Sequence, residues 1–366
     1  MKLQNIISTL ALTAAVQGSP VKEYHEKHKH QEHKRDVLTV WVTEVVAGGS
    51  TNAPTTTDTQ AAAGGSAGES VEVHTSIVSE GGSASAGQSG SATGSSQSAS
   101  ASGSSSADSS ASYSGKGVAY SSYRDDGTCK DASTVKSDFQ KLSGFELIRI
   151  YDTDCDIVNS VLGALTGSQK LFAGIYYLDK IQDSVDLLAS AVKSNGGSWD
   201  KFYTISVGNE LVNDGKSTVD QIGQAVNQAR SALKSAGYSG KIVSVDTLTA
   251  VKNNPGLCQY SDYVAVNCHP FWDGSVTPDN AGTWLQQQIS DIKTTCGGSK
   301  DVLITESGWP HQGQAYGKAV PSPANQKTAV DAISKSCGEQ VILFDAYDDL
   351  WKNGGPYGVE KYWGLY

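Results

Sequence analysis

The sequence predicts an α/β fold, a (β/α)8 TIM barrel preceded by a disordered Ser/Gly/Thr-rich segment, and three observations carry that expectation. Composition changes abruptly near residue 115, from mostly Ser, Gly, Ala and Thr to mixed apolar and amphipathic sequence. Eight apolar, β-branched runs follow, most of them separated by a stretch of helical periodicity. Together they fill about 250 residues, enough to enclose a sizeable core and the usual size for eight strand–helix units.

In chain order the runs are Gly117–Ser121, Glu146–Asp152, Leu171–Tyr177, Phe202–Asn209, Lys241–Thr247, Tyr263–His269, Val302–Glu306 and Val341–Tyr347. They are nearly continuous in apolar residues, the pattern of parallel strands covered on both faces. The segments between them read as helices. In "STVDQIGQAVNQARSALKSAG", Val219, Ile222, Ala225, Val226, Ala229 and Leu233 mark one face, and Gly237 stops the helix. The link from Thr247 to Tyr263 contains "NNPG" and is the weakest helix of the set. A doubly wound open sheet is the alternative; its usual GxGxxG turn after the first strand is absent.

Ahead of this domain (115–366) three further segments are expected. Residues 1–18 have a lysine, an apolar stretch from Ile6 to Val16 and small residues after it, the layout of a secretory signal peptide. The apolar stretch is too short to span a membrane, which takes roughly 20 residues. Residues 19–35 read as a charged pro-segment ending in Lys34-Arg35, where a dibasic processing protease would cut before Asp36; the histidines His25, His28, His30 and His33 within it have nothing to hold them in a metal-binding geometry. Residues 36–114 form a low-complexity Ser/Gly/Ala/Thr-rich spacer with too few large apolar residues to offset its ordering entropy. The chain ends "VEKYWGLY" without an apolar tail, so no lipid or membrane anchor is expected there.

Charge and motifs exclude several functions. The formal net charge is -10 and the pI about 5.2, with no basic cluster interleaved with aromatics outside the N-terminal segment, so nucleic acid is not an expected partner. None of the six cysteines forms a CxxC pair, and no nucleotide or metal motif occurs; no cofactor and no metal are expected. An even number of cysteines in a secreted chain suggests disulfides instead.

A parallel barrel gathers its reactive groups at the C-terminal ends of its strands. The polar residues closing the runs are Tyr151 and Asp152, Tyr176 and Tyr177, Asn209 and Glu210, His269, Glu306, and Asp345 and Tyr347. Glutamate is scarce from Gly117 onward: Glu146, Glu210, Glu306, Glu339 and Glu360. Only Glu210 and Glu306 close strands, the fourth and the seventh, which stand across a barrel from each other. A single carboxylate at a strand end is often a helix cap or an arginine partner. Two facing ones suit glycoside hydrolysis, in which one carboxyl must hold a proton for the leaving oxygen and the other must be ionised to attack or to activate water. Asn209 is placed to hydrogen-bond a sugar hydroxyl. Phe271, Trp272, Trp309 and Trp351 offer flat faces on which pyranose rings can stack; a single such aromatic is more often core than platform, and it is their concentration at strand ends that points to a groove.

The motifs "VGNE", "NCHPFW", "ITESGWP" and "LFDAYDDLWK", in this order and spacing, resemble glycoside hydrolase family 17, specifically its fungal cell-wall β-1,3-glucanase and glucanosyltransferase branch. The resemblance covers Gly117 to Tyr366. It implies a retaining barrel enzyme with Glu210 as acid/base and Glu306 as nucleophile. His269 stands where plant members usually have tyrosine, and Asp349 where they often have glutamate, with Lys352 retained. The apolar surroundings of Glu210 are expected to raise its pKa and keep a proton available.

The functional expectation is therefore a secreted cell-wall glycosidase acting on β-1,3-glucan, by hydrolysis or by transfer to another sugar hydroxyl. The alternative is a wall structural protein or adhesin that binds glucan with little or no turnover. For the cysteines, position along the expected strands favours Cys129–Cys155 at the C-terminal mouth and Cys296–Cys337 at the opposite one, leaving Cys258 and Cys268 free.

Overall fold

The computed structural model describes Tyr113 and residues 115–366. The expected signal peptide (1–18), pro-segment (19–35) and nearly all of the spacer (36–114) lie outside the described residues.

Eight parallel strands close into a barrel in sequence order: β1 (Gly117–Ala119), β2 (Leu147–Arg149), β3 (Lys170–Ile175), β4 (Phe202–Asn209), β5 (Lys241–Thr247), β6 (Val264–Asn267), β7 (Val302–Ser307) and β8 (Val341–Leu343), with β8 pairing back onto β1. The helices are α1 (Ala132–Asp138), α2 (Ile157–Ala164), α3 (Ile181–Ser194), α4 (Val219–Ser235), α5 (Leu248–Asn253), α6 (Leu257–Tyr260), α7 (Ala281–Thr295) and α8 (Pro323–Cys337). Local chemistry sets their limits. Thr218 and Gln221 form a reciprocal capping box at the start of α4, satisfying two backbone N–H groups that the first turn leaves unpaired. The weak link between β5 and β6 is helical in two short pieces, α5 and α6, separated by Asn254, Pro255 and Gly256.

Strands of a closed barrel alternate between its interior and its helical coat. Leu147, Phe172, Val243, Val245, Tyr263, Ala265, Leu303 and Ile342 pack together as one cluster. Their chain neighbours Ile148, Ala173, Ile242, Val264, Val266 and Ile304 belong instead to the larger cluster that includes Val161, Leu188, Val226 and Leu285 of the helices. This period of two locates the site, because it shows which strand residues point to the barrel axis.

The eighth strand stops four residues before its expected end. Beyond Leu343 the backbone pairs with the C-terminal tail: Asp345 N–H donates to the Trp363 carbonyl and Leu365 N–H to that of Asp345, while Ala346 N–H reaches Ala119. The tail thus covers the join between β8 and β1.

Two disulfides are present, Cys129–Cys155 and Cys258–Cys296, with Cα separations of 5.3 and 5.5 Å. The first links the loops after β1 and β2. The second corrects the expected Cys296–Cys337 pair. Cys258 lies in α6, and Lys300 donates to the carbonyls of Cys258, Gln259 and Ser261, which folds the approach to β7 against that helix. Cys296 at the end of α7 is thereby brought to Cys258. Cys337 and Cys268 are the free, buried cysteines, and Cys337 Sγ faces the Gly282 carbonyl at 3.8 Å.

Candidate active site

Glu210 and Glu306 follow and close β4 and β7, and at both ends the strand departs from regular alternation. In β4 the register against β5 shifts between Val207 and Asn209, so Gly208 is an extra residue. Its φ of 74° and a Cβ position only 3.0 Å from Leu211 Cδ1 suit glycine alone. Glu210 itself adopts a left-handed φ of 57°, a conformation that costs a bulky residue about 1–2 kcal/mol and persists only where the surroundings impose it. In β7 the register against β6 shifts so that Asn267 pairs with Glu306, leaving Thr305 as the extra residue. The adjacent Thr305 and Glu306 then share one partner, Arg149 Nη1, which donates to the Thr305 carbonyl and to Glu306 Oε1 (2.8 Å each), while Thr305 Oγ1 donates to Asn267 Oδ1 (2.7 Å).

Arg149 and Asn267 tie the two ends together. The guanidinium of Arg149, 1% exposed, donates through Nη1 to Glu306 Oε1 (2.8 Å), the Thr305 carbonyl (2.8 Å) and Asn267 Oδ1 (3.1 Å), and through Nη2 to Asn209 Oδ1 (2.7 Å). Asn267 Nδ2 donates to Glu210 Oε1 at 2.8 Å and to Asn209 Oδ1 at 3.3 Å. These donors fix which way both amides face. Asn209 turns its oxygen toward Arg149 and Asn267, so its Nδ2 is the atom aimed elsewhere.

The two carboxyl groups have opposite ionisation. Burial pushes the Glu210 pKa up to about 8, helped by the charge of Glu306 and, to a smaller extent, those of Asp246 and Asp214, while the Asn267 hydrogen bond opposes them. Burial would also raise Glu306, but Arg149, His269 and the Tyr151 hydroxyl outweigh it and bring its pKa down to about 2. Tyr151 OH donates to Glu306 Oε1 at 2.8 Å, and His269 Nε2 lies 3.3 Å from Oε2. Between those values one carboxyl is protonated and the other ionised, the pairing of states that glycosyl transfer needs.

The remaining expected contact residues separate into groups. Tyr151 and His269 join the shell around Glu306. Tyr176 packs against Tyr177 at 5.0 Å between ring centres, and its pKa is raised by burial first and then by Asp214, Tyr177 and Glu210, which puts it on the Glu210 side. Trp272 is partly exposed and sits with Tyr316 and Tyr357 at 6.5 and 6.2 Å, an aromatic group at the rim. Phe271 and Trp309 are not platforms. Both are 0% exposed, meet edge-on at 5.5 Å, and Trp309 Nε1 donates to the Val320 carbonyl, so neither ring has a face for a sugar.

The residues expected after β8 are engaged elsewhere. Tyr347 donates its hydroxyl to the Asp138 carbonyl at the end of α1, away from the barrel axis. Asp345 is 2% exposed; its carboxylate accepts from Ala346 N–H, and burial followed by the charge of Asp349 raises its pKa well above the carboxylate range. Lys352 Nζ lies 2.9 Å from Asp349 and 4.8 Å above the Phe344 ring. Trp351 donates to Asp349 at 2.8 Å and packs on Tyr123 at 4.8 Å.

Arg149 and Asn267 were not among the residues singled out from sequence. A signal for Arg149 existed: an obligatory cation inside "ELIRIYD" cannot be buried without an anionic partner. Asn267 carried no such mark.

Residues 117–364 match the family model described as the BtgE/BtgC glycoside hydrolase domain. The chain is 57% identical over 250 residues to the probable family 17 glucosidase SCW10 of Saccharomyces cerevisiae, an alignment covering 68% of this chain and 64% of that protein. It is 55% identical over 251 residues to the cell surface mannoprotein MP65 of Candida albicans, covering 69% of this chain and 66% of the other. The alignments thus span a little under two thirds of these relatives' own lengths. Among solved structures, the glycoside hydrolase family 17 β-1,3-glucanosyltransferase of Rhizomucor miehei superposes with a TM-score of 0.56 at 22% identity, over 68% of this chain and 92% of that one, a likeness of fold.

Proposed function

The chain belongs to glycoside hydrolase family 17, with a catalytic domain of the BtgE/BtgC type, and on that premise we propose that it is a secreted cell-wall enzyme that cleaves or transfers β-1,3-glucan by a retaining double displacement. The observation that carries this reading is the pairing across the barrel of a carboxyl that burial keeps protonated, Glu210, with one that Arg149, His269 and Tyr151 keep ionised, Glu306.

In the first step a Glu306 oxygen attacks the anomeric carbon while the Glu210 proton passes to the glycosidic oxygen, so the departing chain leaves with a free hydroxyl. Bond formation removes the charge on Glu306, one of the causes of the high Glu210 pKa. Glu210 can then act as base in the second step, taking a proton from the acceptor as the acceptor's oxygen displaces Glu306 from the sugar. Water as acceptor gives hydrolysis; a hydroxyl of another glucan chain gives transfer. The Asn209 amide nitrogen is available to a hydroxyl of the bound sugar, and the rim group around Trp272 offers apolar faces to flanking rings.

Incubation of the full chain with reduced laminari-oligosaccharides, followed by mass analysis, tests the proposal. Shorter products alone mean hydrolysis, and products longer than the substrate mean transfer. Unchanged substrate would reject turnover in favour of a glucan-binding wall protein, the reading suited to likeness with a cell surface mannoprotein. Extracellular location and processing after Lys34-Arg35 belong to the same proposal; secreted material is expected to begin at Asp36, and an N-terminus at or before Ser19 would reject the cleavage.

A further inference from the structure

Asp246, at the C-terminal end of β5, is a buried carboxylate with no salt-bridge partner among the described residues. Its neighbour Val245 packs in the barrel interior, so Asp246 faces the other way, toward the loop between β4 and α4. Three backbone N–H groups satisfy it. Oδ2 accepts from Val212 at 2.9 Å, and Oδ1 accepts from Asn213 at 3.1 Å and from Thr247 at 2.9 Å. Asn213 is held a second time, its Oδ1 accepting from Thr247 Oγ1 at 3.0 Å.

Val212 and Asn213 come two and three residues after Glu210, whose own N–H donates to the Val245 carbonyl at 3.0 Å. The left-handed Glu210 is therefore pinned on both sides by consecutive residues of one strand, by the Val245 carbonyl before it and the Asp246 carboxylate after it. An unfavourable backbone conformation survives only where the surroundings over-determine it. A buried carboxylate is costly unless it is well hydrogen-bonded, and a neutral side chain there would avoid that cost. We infer that Asp246 is a positioning residue for the general acid: its carboxylate clamps the turn that aims Glu210. The inference rests on the proposed acid role of Glu210.

The groups bearing on Glu210 are Glu306 from β7, Asn267 from β6, Asp246 from β5, Tyr176 from the end of β3, and Asp214 on its own loop. Asp214 N–H closes the turn from within, donating to the Glu210 carbonyl at 2.9 Å; Asp246 is the one of these five whose side chain accepts from backbone N–H groups of the turn.

The test compares Asp246→Ala and Asp246→Asn with wild-type full chain on a laminari-oligosaccharide, whose leaving group needs a proton, and on a 2,4-dinitrophenyl β-laminaribioside, whose leaving group does not. Asp246→Ala is expected to lower kcat on the oligosaccharide about 10- to 100-fold, leaving KM within about 3-fold, and to lower the dinitrophenyl rate less than about 3-fold. The alkaline limb should move down by about half a pH unit in both variants, because each removes the charge. Asp246→Asn keeps one acceptor oxygen and should lose less rate, which separates the clamp from the charge and guards against a variant that does not fold. Equal losses on both substrates, or an unmoved alkaline limb, would overturn the inference. If wild type cleaved neither substrate, the proposed function would fall, and the Glu210 carboxyl titration would still decide whether Asp246 acts on Glu210. Read by 13C NMR of glutamate-labelled chain and assigned with Glu210→Gln, it should shift down in Asp246→Asn; no shift would reject the role.

Discussion

The ends of β4 and β7 invite direct comparison, since each breaks its register against a neighbouring strand and delivers one glutamate to the barrel mouth. At β7 the carboxylate meets a buried guanidinium, a phenol and an imidazole, and it is ionised down to about pH 2. At β4 the carboxyl meets a single amide donor, with carboxylates at Glu306, Asp246 and Asp214 around it, and it holds its proton up to about pH 8. Identical side chains on similar bulges thus acquire opposite chemistry. Backbone geometry aims a carboxyl group, but its neighbours decide whether it gives a proton or an electron pair.

The largest effect that could break this comparison is on turnover. Glu306→Gln removes the attacking oxygen and is expected to lower the rate on laminarin and on the dinitrophenyl substrate alike by at least about 10⁴-fold; a variant active on either would reverse the roles. Arg149→Met comes next. It strands the Glu306 charge in a buried site, so stability should fall by about 3–5 kcal/mol in denaturant melts. The acid limb of kcat/KM should move up at the same time, because Glu306 then ionises at higher pH. An unmoved acid limb would mean that Arg149 does not set the charge of Glu306.

A control far from both carboxyl groups sharpens the contrast. Cys258→Ser opens the disulfide that closes a loop with sequence separation 38, and a stability loss of about 2–4 kcal/mol is expected. The pH limits of activity should not change, and non-reducing peptide maps of wild type should contain the Cys258–Cys296 peptide.

The smallest effect lies in the pH dependence of stability. Glu210 has a folded pKa above its unfolded value, so its proton contributes stability that is complete below about pH 4.5 and is lost as pH rises through about 8. Glu306 has a depressed folded pKa, and its contribution is present above about pH 4.5 and lost as pH falls toward about 2. Glu210→Gln should therefore gain a few degrees in thermal midpoint relative to wild type between pH 5 and pH 8. Glu306→Gln should instead be destabilised at pH 5, by less as the pH is lowered. Parallel curves for the two variants would remove the distinction between the two strand ends.

Much of this was legible in the sequence. Apolar runs at intervals set eight strands, and β4 and β5 have the limits that the pattern implies, because burial on both faces leaves a continuous signature. The scarcity of glutamate pointed to Glu210 and Glu306. The family motifs supplied their expected roles. What escaped were features in which residues distant along the chain decide the outcome. Phe271 and Trp309 group with the candidate platforms because they stand at strand ends, and packing turned both rings inward, the core reading that each aromatic carried singly. Cys296 pairs with Cys258 because Lys300 folds the approach to β7 onto α6, a contact no local pattern announces. Sequence by itself determined the barrel and singled out the two carboxyl groups proposed to react, since periodicity and residue type are local quantities. Only the tertiary structure decided their ionisation, because a pKa is set by burial and by charges that the fold collects from β2, β5, β6 and β7 around one mouth.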